Sequence, residues 1–211
     1  MIYEFRTYTL RPTNVPAYLK LAEDVGRPIR GNDFGTNHGY WVSEFGQLNQ
    51  IWHLWSYEGL GERQALHAEL AKNKDWTGEY VANVRPIIEK QEVRFMNGVI
   101  DVKPPADSGN LYEYRFYRVE TGKAPQWLEA FQEGLKAREK YSPIVGLWHT
   151  INPQPHEVSH MWVYPDLNAR AAARAEAAKD KGWRAFLKVG GPMLLEMQSI
   201  ILSPTAFSTL D

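Results

Sequence analysis

An internal repeat constrains the fold of this chain more than any other feature of its sequence. "IYEFRTYTL" at Ile2–Leu10 recurs as "LYEYRFYRV" at Leu111–Val119, 109 residues later. The spaced residues of "HLWSYEGLGER" at 53–63 recur in "HMWVYPDLNAR" at 160–170, 107 residues later. Because both halves follow one pattern, we expect them to share one fold. The spacing between the two copies decreases from 109 to 107 residues along the chain, which predicts that two residues are missing from a loop of the second half.

The length of the chain fits two compact units. Its 211 residues allow two domains of about 100 residues each. Apolar residues make up 44% and charged residues 23%, which is typical of globular protein. Residues 98–109 are rich in Pro, Gly and Asp, which sustain neither a helix nor a central strand. We therefore predict a first domain at 1–97, a linker at 98–109 and a second domain at 110–204.

The hydrophobic period changes in a fixed order within each half. In the first half it predicts strands at 2–10, 36–45, 49–58 and 87–96 and helices at 15–29 and 59–73. The order β-α-β-β-α-β is that of the ferredoxin-like motif, in which an antiparallel sheet carries both helices on one face. The other face needs a cover, and a second sheet can supply it. The predicted fold class is α+β, with two tandem ferredoxin-like units forming a dimeric α/β-barrel arrangement. Whether the barrel closes within one chain or between the chains of a homodimer stays open.

Three segments of the first half resemble the NIPSNAP family: "MIYEFRTYTLRPTNVPAYLKL", "GYWVSEFGQLNQIWHLWSYEGLGER" and "RPIIEKQE". The second half keeps "LYEYRFYRV", "GLW", "HMWVYPDLNAR" and "PMLLEMQS". It has "INPQPHEVS" where the family usually has a Gly-x-Leu-Asn turn, which residues 46–49 retain in the first half. The resemblance implies a dimeric α/β-barrel fold. It also implies kinship with cofactor-independent quinone-forming monooxygenases, haem-degrading oxygenases and lactone isomerases, but no particular reaction.

Alternate residues of the predicted strands form a polar and aromatic face, because residues two apart in a strand share a face. In the first half these residues are Glu4, Arg6 and Tyr8 in the first strand and His53, Trp55 and Tyr57 in the third. Their equivalents in the second half are Glu113, Arg115, Tyr117, His160, Trp162 and Tyr164. The first and third strands are neighbours in this motif, so we expect the two sets to lie together. We place them on the face away from the helices, inside the barrel.

Each of these residues has a functional and a structural interpretation. His53 is a candidate catalytic base and Arg6 a candidate partner for an oxyanion. His38 and Tyr40, in the second strand, are further candidates for ligand binding near the mouth of a barrel. The alternatives are that Glu4 and Arg6 form a buried structural ion pair, and that the histidines only donate hydrogen bonds to neighbours. If one pocket is functional, the diverged turn of the second half favours the first.

Several classes of function lack support in the sequence. The formal net charge is -1 without blocks of like charge, so nucleic acid is not an expected partner. The absence of cysteine excludes disulfides, thiolate nucleophiles and cysteine metal sites. We predict no metal site. No apolar run approaches about 18 residues, and the first residues resemble a strand rather than a leader, so we predict no membrane span and a cytoplasmic location.

Three hypotheses for function follow. The first is binding of a small apolar or aromatic molecule inside the barrel, with cofactor-independent oxidation (a monooxygenase) or isomerisation as the reaction to test. The second is a non-catalytic protein-interaction module with a packed barrel, which the lack of any pocket above about 300 Å³ near His53 would favour. The third is haem binding through His53 or His160. Apart from haem, no cofactor is predicted.

Overall fold

The chain forms two compact units with the same order of elements. The computed structural model describes residues 1–107 and 110–211. The first unit comprises Met1–Phe95 with Pro204–Asp211, and the second comprises Met96–Ser203. Each repeat follows the order β-α-β-β-α-β. The predicted α+β fold of two tandem ferredoxin-like units is therefore confirmed.

The first repeat has strands β1 (Ile2–Leu10), β2 (Thr36–Phe45), β3 (Gln50–Tyr57) and β4 (Ile88–Ile100). Its helices are α1 (Val15–Leu21), α2 (Arg27–Arg30), α3 (Leu60–Leu70) and α4 (Ala82–Val84), with π-helical segments at Ala22–Gly26 and Trp76–Val81. β3 lies antiparallel between β1 and β2. The strands predicted at 2–10 and 36–45 have those bounds, whereas the helical region at 76–84 was not predicted from the sequence.

The second repeat has strands β5 (Leu111–Val119), β6 (Ile144–Asn152), β7 (Glu157–Tyr164) and β8 (Leu194–Pro204). Its helices are α5 (Ala124–Arg138), α6 (Leu167–Ala177) and α7 (Lys181–Gly190). β7 lies antiparallel between β5 and β6, and β5 also pairs with β8. Because β4 continues to Ile100, the first three residues of the predicted linker 98–109 are in a strand. Ser108 and Gly109 of that linker lie outside the described residues.

One of the two extra residues of the first half lies in a helix. Tyr18 and Trp127 pack edge-on against the equivalent tyrosines of β1 and β5, and they are 109 positions apart. Arg30 and Arg138 donate to equivalent tyrosine hydroxyls of β3 and β7, yet they are only 108 positions apart. The π-helical segment Ala22–Gly26 accommodates this insertion, whereas α5 runs without interruption. The sequence predicted that the second half lacks both residues in a loop, and this is wrong for the residue inserted in the π-helical segment.

The predicted orientation of the polar and aromatic face is also wrong. Tyr8 and Trp55 belong to the core that packs on Tyr18 of α1 and on Tyr80. In the second repeat Tyr117, Trp162 and Tyr164 likewise pack on the helices. The face that carries Glu4, Arg6 and His53 therefore lies under the helices and not away from them.

The composition of the helices explains this orientation. The helical side carries Tyr18, Tyr80 and the guanidinium groups of Arg27 and Arg30 rather than an uninterrupted apolar stripe, so it complements a polar strand face. The more apolar face of the sheet carries edge-on aromatic pairs of Phe5 with two tryptophans. They are Trp41, at 6.1 Å, and Trp52, at 5.1 Å between ring centres.

Candidate functional site

The first unit contains a partly open cavity of about 520 Å³ between its sheet and its helices. Four of the predicted site residues line it: Arg6, Tyr8, Tyr40 and His53. Other parts of the lining are Arg30, His67 and Leu70 of the helices, Trp76 and Tyr80 of the second π-helical segment, and residues 88–91 of β4. The structure thus brings together four of the eight residues predicted for the site in the first half.

His53 lies at the inner wall of this cavity in an aromatic setting. Its ring is 2% exposed and stacks on Tyr40, with 4.7 Å between ring centres and 3° between planes. Tyr8 packs edge-on at 4.9 Å. The indole Nε1 of Trp55 donates a hydrogen bond of 2.7 Å to Nδ1 of His53. A neutral imidazole that accepts at Nδ1 carries its proton at Nε2.

The Nε2–H of His53 is a buried donor without an acceptor. No atom in the described part of the chain accepts a hydrogen bond from it. Burial, together with the charges of Arg6, Arg30 and Arg27, lowers the pKa of His53 well below 6.5. The ring is therefore neutral at neutral pH. A role as base or as a haem ligand, both predicted from the sequence, would require Nε2 to lose its proton and the Trp55 hydrogen bond to be given up.

Glu4 forms the charged centre beneath the cavity. Its carboxylate is fully buried and accepts hydrogen bonds from Arg6 and from Arg63, the latter at 2.9 and 3.1 Å. Burial acts to raise the pKa of Glu4, but the Arg63 hydrogen bonds and the charge of Arg6 outweigh it and lower the pKa to about 2. These contacts agree with the structural interpretation of the pair. No role was predicted for Arg63 from the sequence, although the second repeat has an arginine, Arg170, at the equivalent position.

Arg6 has a second contact on the cavity side. Its Nε donates 2.9 Å to the hydroxyl of Tyr8, and its side chain is 11% exposed. In the second repeat Arg115 likewise binds Glu113 at 2.6 Å and donates to Tyr117. Both repeats therefore keep the carboxylate, arginine and tyrosine series in one geometry.

Arg30 and His67, at another wall, are connected through Tyr57, which does not itself line the cavity. Arg30 donates 2.8 Å to the hydroxyl of Tyr57, which lies 3.2 Å from Nε2 of His67. Burial and then the charges of Arg30 and Arg63 lower the pKa of His67 to about 4. The sequence pattern indicated only a helical surface segment at 67–70. The signal that could have found His67 is its replacement by Arg174 at the equivalent position of the repeat.

His38 does not belong to this cavity. Its ring lies 5.5 Å from that of Tyr3, and its Nε2 lies 2.8 Å from the hydroxyl of Ser56. The pairing of β2 with β3 shifts register between Asn37 and Gly39. His38, a candidate for ligand binding from the sequence, therefore lies outside the cavity that Tyr40 lines, because the two side chains have different neighbours across β3.

The second unit has a smaller cavity of about 220 Å³ on the same side of its sheet. Four predicted residues line it: Arg115, Tyr117, His160 and Trp162, although Trp55, the equivalent of Trp162, does not line the first cavity. The hydroxyl of Tyr164 accepts a hydrogen bond of 3.1 Å from Arg138. The ring of Phe131 lies 4.8 Å from that of His160, whereas the repeat places Ala22 at the corresponding position. Three tyrosines of the first unit, Tyr18, Tyr40 and Tyr80, correspond to Trp127, Leu147 and Phe186. The second cavity is therefore narrower and has fewer hydroxyl groups.

Residues 1–107 and 110–211 contain no group of three or more His, Asp or Glu side chains placed to hold a metal ion. In the same ranges no helix combines the length and apolar character needed to cross a membrane.

Comparison with known proteins gives relatives along the whole chain. NipSnap homolog 3B of Mus musculus is 31% identical over 218 residues, which cover 99% of this chain and 85% of that protein. Two solved structures share the fold. One, from Lactobacillus acidophilus NCFM, is named as a proposed monooxygenase; it has a TM-score of 0.70 at 16% identity and covers 95% of this chain and 92% of its own. The other, an anthrone oxidase-like protein, has a TM-score of 0.68 at 11% identity, and the match covers 100% of this chain and 94% of that protein's chain.

The family assignment rests on both halves of the chain. The family model NIPSNAP matches residues 3–100 and matches again at residues 112–209. These two matches coincide with the two β-α-β-β-α-β repeats and include the strands that carry Glu4, His53 and their equivalents. The chain belongs to the NIPSNAP family, with two copies of the family's domain in tandem.

Proposed function

We propose that the cavity of the first unit binds a small, flat aromatic metabolite through an oxygen atom that accepts a hydrogen bond from His53 Nε2. The observation that carries this proposal is a buried N–H donor without an acceptor at the wall of a cavity of about 520 Å³. An unpaired buried donor costs roughly 1–3 kcal/mol, and a ligand oxygen would remove that cost. The stacked Tyr40 and the edge of Tyr8 supply aromatic contact area for a flat ligand.

The size of the cavity favours this function over a packed interaction module. The sequence hypothesis of a module required the lack of any pocket above about 300 Å³ near His53. The cavity that His53 lines has a volume of about 520 Å³. Pockets of this size accommodate small metabolites.

The donors suit a ligand oxygen that gains negative charge. A neutral N–H donor fixed in a water-poor site, as His53 Nε2 is, stabilises an oxyanion more than a neutral carbonyl oxygen. An enol or phenol bound there would be stabilised as its anion. Formation of that anion, with its proton released to water at the open side of the cavity, is the step that keto–enol isomerisation and cofactor-independent oxidation share. We propose these reactions for the site, with dioxygen as the oxidant in the second.

The proposal is tested with 1-naphthol as a probe, through quenching of tryptophan fluorescence. We expect His53→Phe to keep the stacking on Tyr40 but to weaken binding about tenfold or more, since a hydrogen bond to a buried donor is lost. His160→Phe is the matched control and should bind as the wild type does. Unchanged affinity in a folded His53→Phe protein, or equal losses in both variants, would refute the proposal.

A further inference from the structure

Arginine side chains outnumber carboxylates around the inner part of the first cavity. Arg6 and Arg30 line the cavity, and Arg27 lies over the ring of Trp55. Arg63 binds Glu4, which is the carboxylate among them. Glu4 is already bound by Arg6 and Arg63. The charges of Arg27 and Arg30 are therefore not balanced by Glu4.

Arg27 and Arg30 have only neutral partners in the part of the chain that the structure describes. Arg27 donates 2.9 Å to the carbonyl oxygen of Gly31. Arg30 donates to the carbonyl oxygen of Phe34 at 3.2 Å and to Tyr57, and it lies 3.4 Å from the ring centre of Trp55. These contacts place Arg30 firmly but leave its charge without a counter-ion.

Arg30 also has a free donor. Its side chain lines the cavity and is only 5% exposed, yet Nε has no hydrogen-bond partner among the described residues. A buried cation costs several kcal/mol unless an anion and hydrogen bonds compensate for it, and a cation–π contact offsets only part of that. The equivalent Arg138 differs in that Nη1 donates 2.6 Å to Ser142, and none of its fully buried nitrogens lacks a hydrogen-bond partner among the described residues.

The charges at the rim do not supply the missing anion. Glu89 is paired with Arg11 at 2.6 Å, and Lys90 is paired with Glu92 at 3.1 Å. All four of these side chains are largely exposed, so water screens their charges. The unbalanced charge is therefore at the inner end of the cavity, where His53 also presents its free N–H.

We propose that the ligand of the first cavity is an aromatic carboxylate, whose carboxylate group is bound by Arg30 and whose ring contacts the aromatic wall. A carboxylate complements a guanidinium in charge and geometry, since two parallel N–H groups can donate to its two oxygens. This inference rests on the proposed function, because it specifies the chemical class of the molecule bound in the same cavity.

A pair of isosteric probes separates charge from shape. Binding of 2-naphthoate and of 2-naphthamide, measured by isothermal titration calorimetry, should differ by about tenfold or more in favour of the carboxylate, in keeping with a charge-assisted hydrogen bond. Arg30→Gln should reduce this preference to less than about twofold while 2-naphthamide still binds. Arg138→Gln is the matched control in the second unit and should keep the full preference.

The outcomes distinguish this inference from the proposed function. If 2-naphthamide and 2-naphthoate bind the wild type equally, the inference is overturned and the proposed function stands. If neither they nor 1-naphthol bind, both are overturned. Where Arg30→Gln fails to fold, the half-buried Arg27→Gln variant must lower the preference for the carboxylate, and an undiminished preference there contradicts the inference.

Discussion

At the scale of single residues, the hydrogen bond from Trp55 determines what His53 can do. A histidine with a free Nε2 lone pair accepts protons or metals, whereas one that accepts at Nδ1 is a donor at Nε2. We expect NMR of ¹⁵N-labelled protein to show His53 as the neutral Nε2–H tautomer at pH 6.5 and above, since burial and then the charges of Arg6 and Arg30 lower its pKa. A His53 that titrates near pH 6.5 would contradict this assignment.

Arg6 and Arg63 share one carboxylate, so their removal should not be additive. In Arg6→Met, Glu4 keeps the paired hydrogen bonds of Arg63, and we expect a loss of about 1.5–3 kcal/mol in the free energy of unfolding. In Arg6→Met/Arg63→Met the buried carboxylate has no cation left, and the loss should exceed the sum of the single losses. Chemical denaturation of the four proteins of this cycle measures the difference. If the losses of unfolding free energy in the two single variants add up to the loss in the double variant, the buried charge of Glu4 does not depend on Arg6 and Arg63 together.

The same carboxylate should make stability depend on pH in the acid range. Because the pKa of Glu4 is lowered from 4.5 to about 2, its contribution is complete above pH 4.5 and is lost as pH falls towards 2. Glu113, whose pKa is also lowered to about 2, should behave likewise. We expect Glu4→Gln to be less stable than the wild type at pH 6, with a difference that shrinks as pH falls towards 2. A difference that is constant from pH 6 to pH 2.5 would contradict the assignment.

At the scale of elements, strand positions and pairings follow from the sequence, but the covering of the sheet does not. The alternation in "IYEFRTYTL" and "HLWSY" predicts that Arg6 and His53 share a face. The antiparallel pairing of β1 with β3 places these two residues directly opposite each other. Alternation cannot say which face the helices cover when both faces are aromatic. Because helices normally cover the apolar face, the charged face was assigned to the wrong side.

The π-helical segments could not be predicted from the period of the first half alone. A single extra residue does not disturb hydrophobic spacing enough to be seen. Comparison with the uninterrupted α5 is needed, together with the contacts that keep both copies in register. A Cβ atom at Gly26 would lie 2.6 Å from the ring of Tyr80, and one at Gly134 would lie 2.5 Å from Phe186, so each glycine permits the same close approach of two helical elements.

Deletion of the exposed Glu23 should convert the first π-helical segment into an α-helix like α5. π-Helical insertions are rare and occur frequently at functional sites, so we expect the deletion to leave stability unchanged or increased. We also expect weaker binding of 1-naphthol, because the deletion would change the placement of Arg30, which follows this segment and lines the cavity. Denaturation and fluorescence titration check both effects. Insertion of one Ala after Gln132 in α5 is the matched control, and it should not change binding.

At the scale of the whole molecule, duplication has left two copies of one network with different cavities. Both repeats retain the carboxylate with its arginines and the arginine over a strand tryptophan. These shared contacts are the ones that hold each fold together. The differences lie at the cavity walls, where the second copy has larger aromatic side chains and fewer hydroxyl groups. The residues that differ therefore determine the size and polarity of the first cavity, whereas His53 and Arg30 have equivalents in both repeats.

Ala22→Phe tests this division, because it gives the first repeat the residue that the second repeat has at Phe131. Overpacking a filled core costs typically about 1–3 kcal/mol, but a side chain that enters an open cavity costs less and gains buried apolar area. We expect Ala22→Phe to unfold at the same or a higher denaturant concentration and to lose binding of 1-naphthol. The reverse change, Phe131→Ala, should destabilise the second unit by about 3–5 kcal/mol, since it leaves a hole among Trp127, His160 and Phe186. If Ala22→Phe is strongly destabilised, the space beside Ala22 is already filled and does not belong to the first cavity.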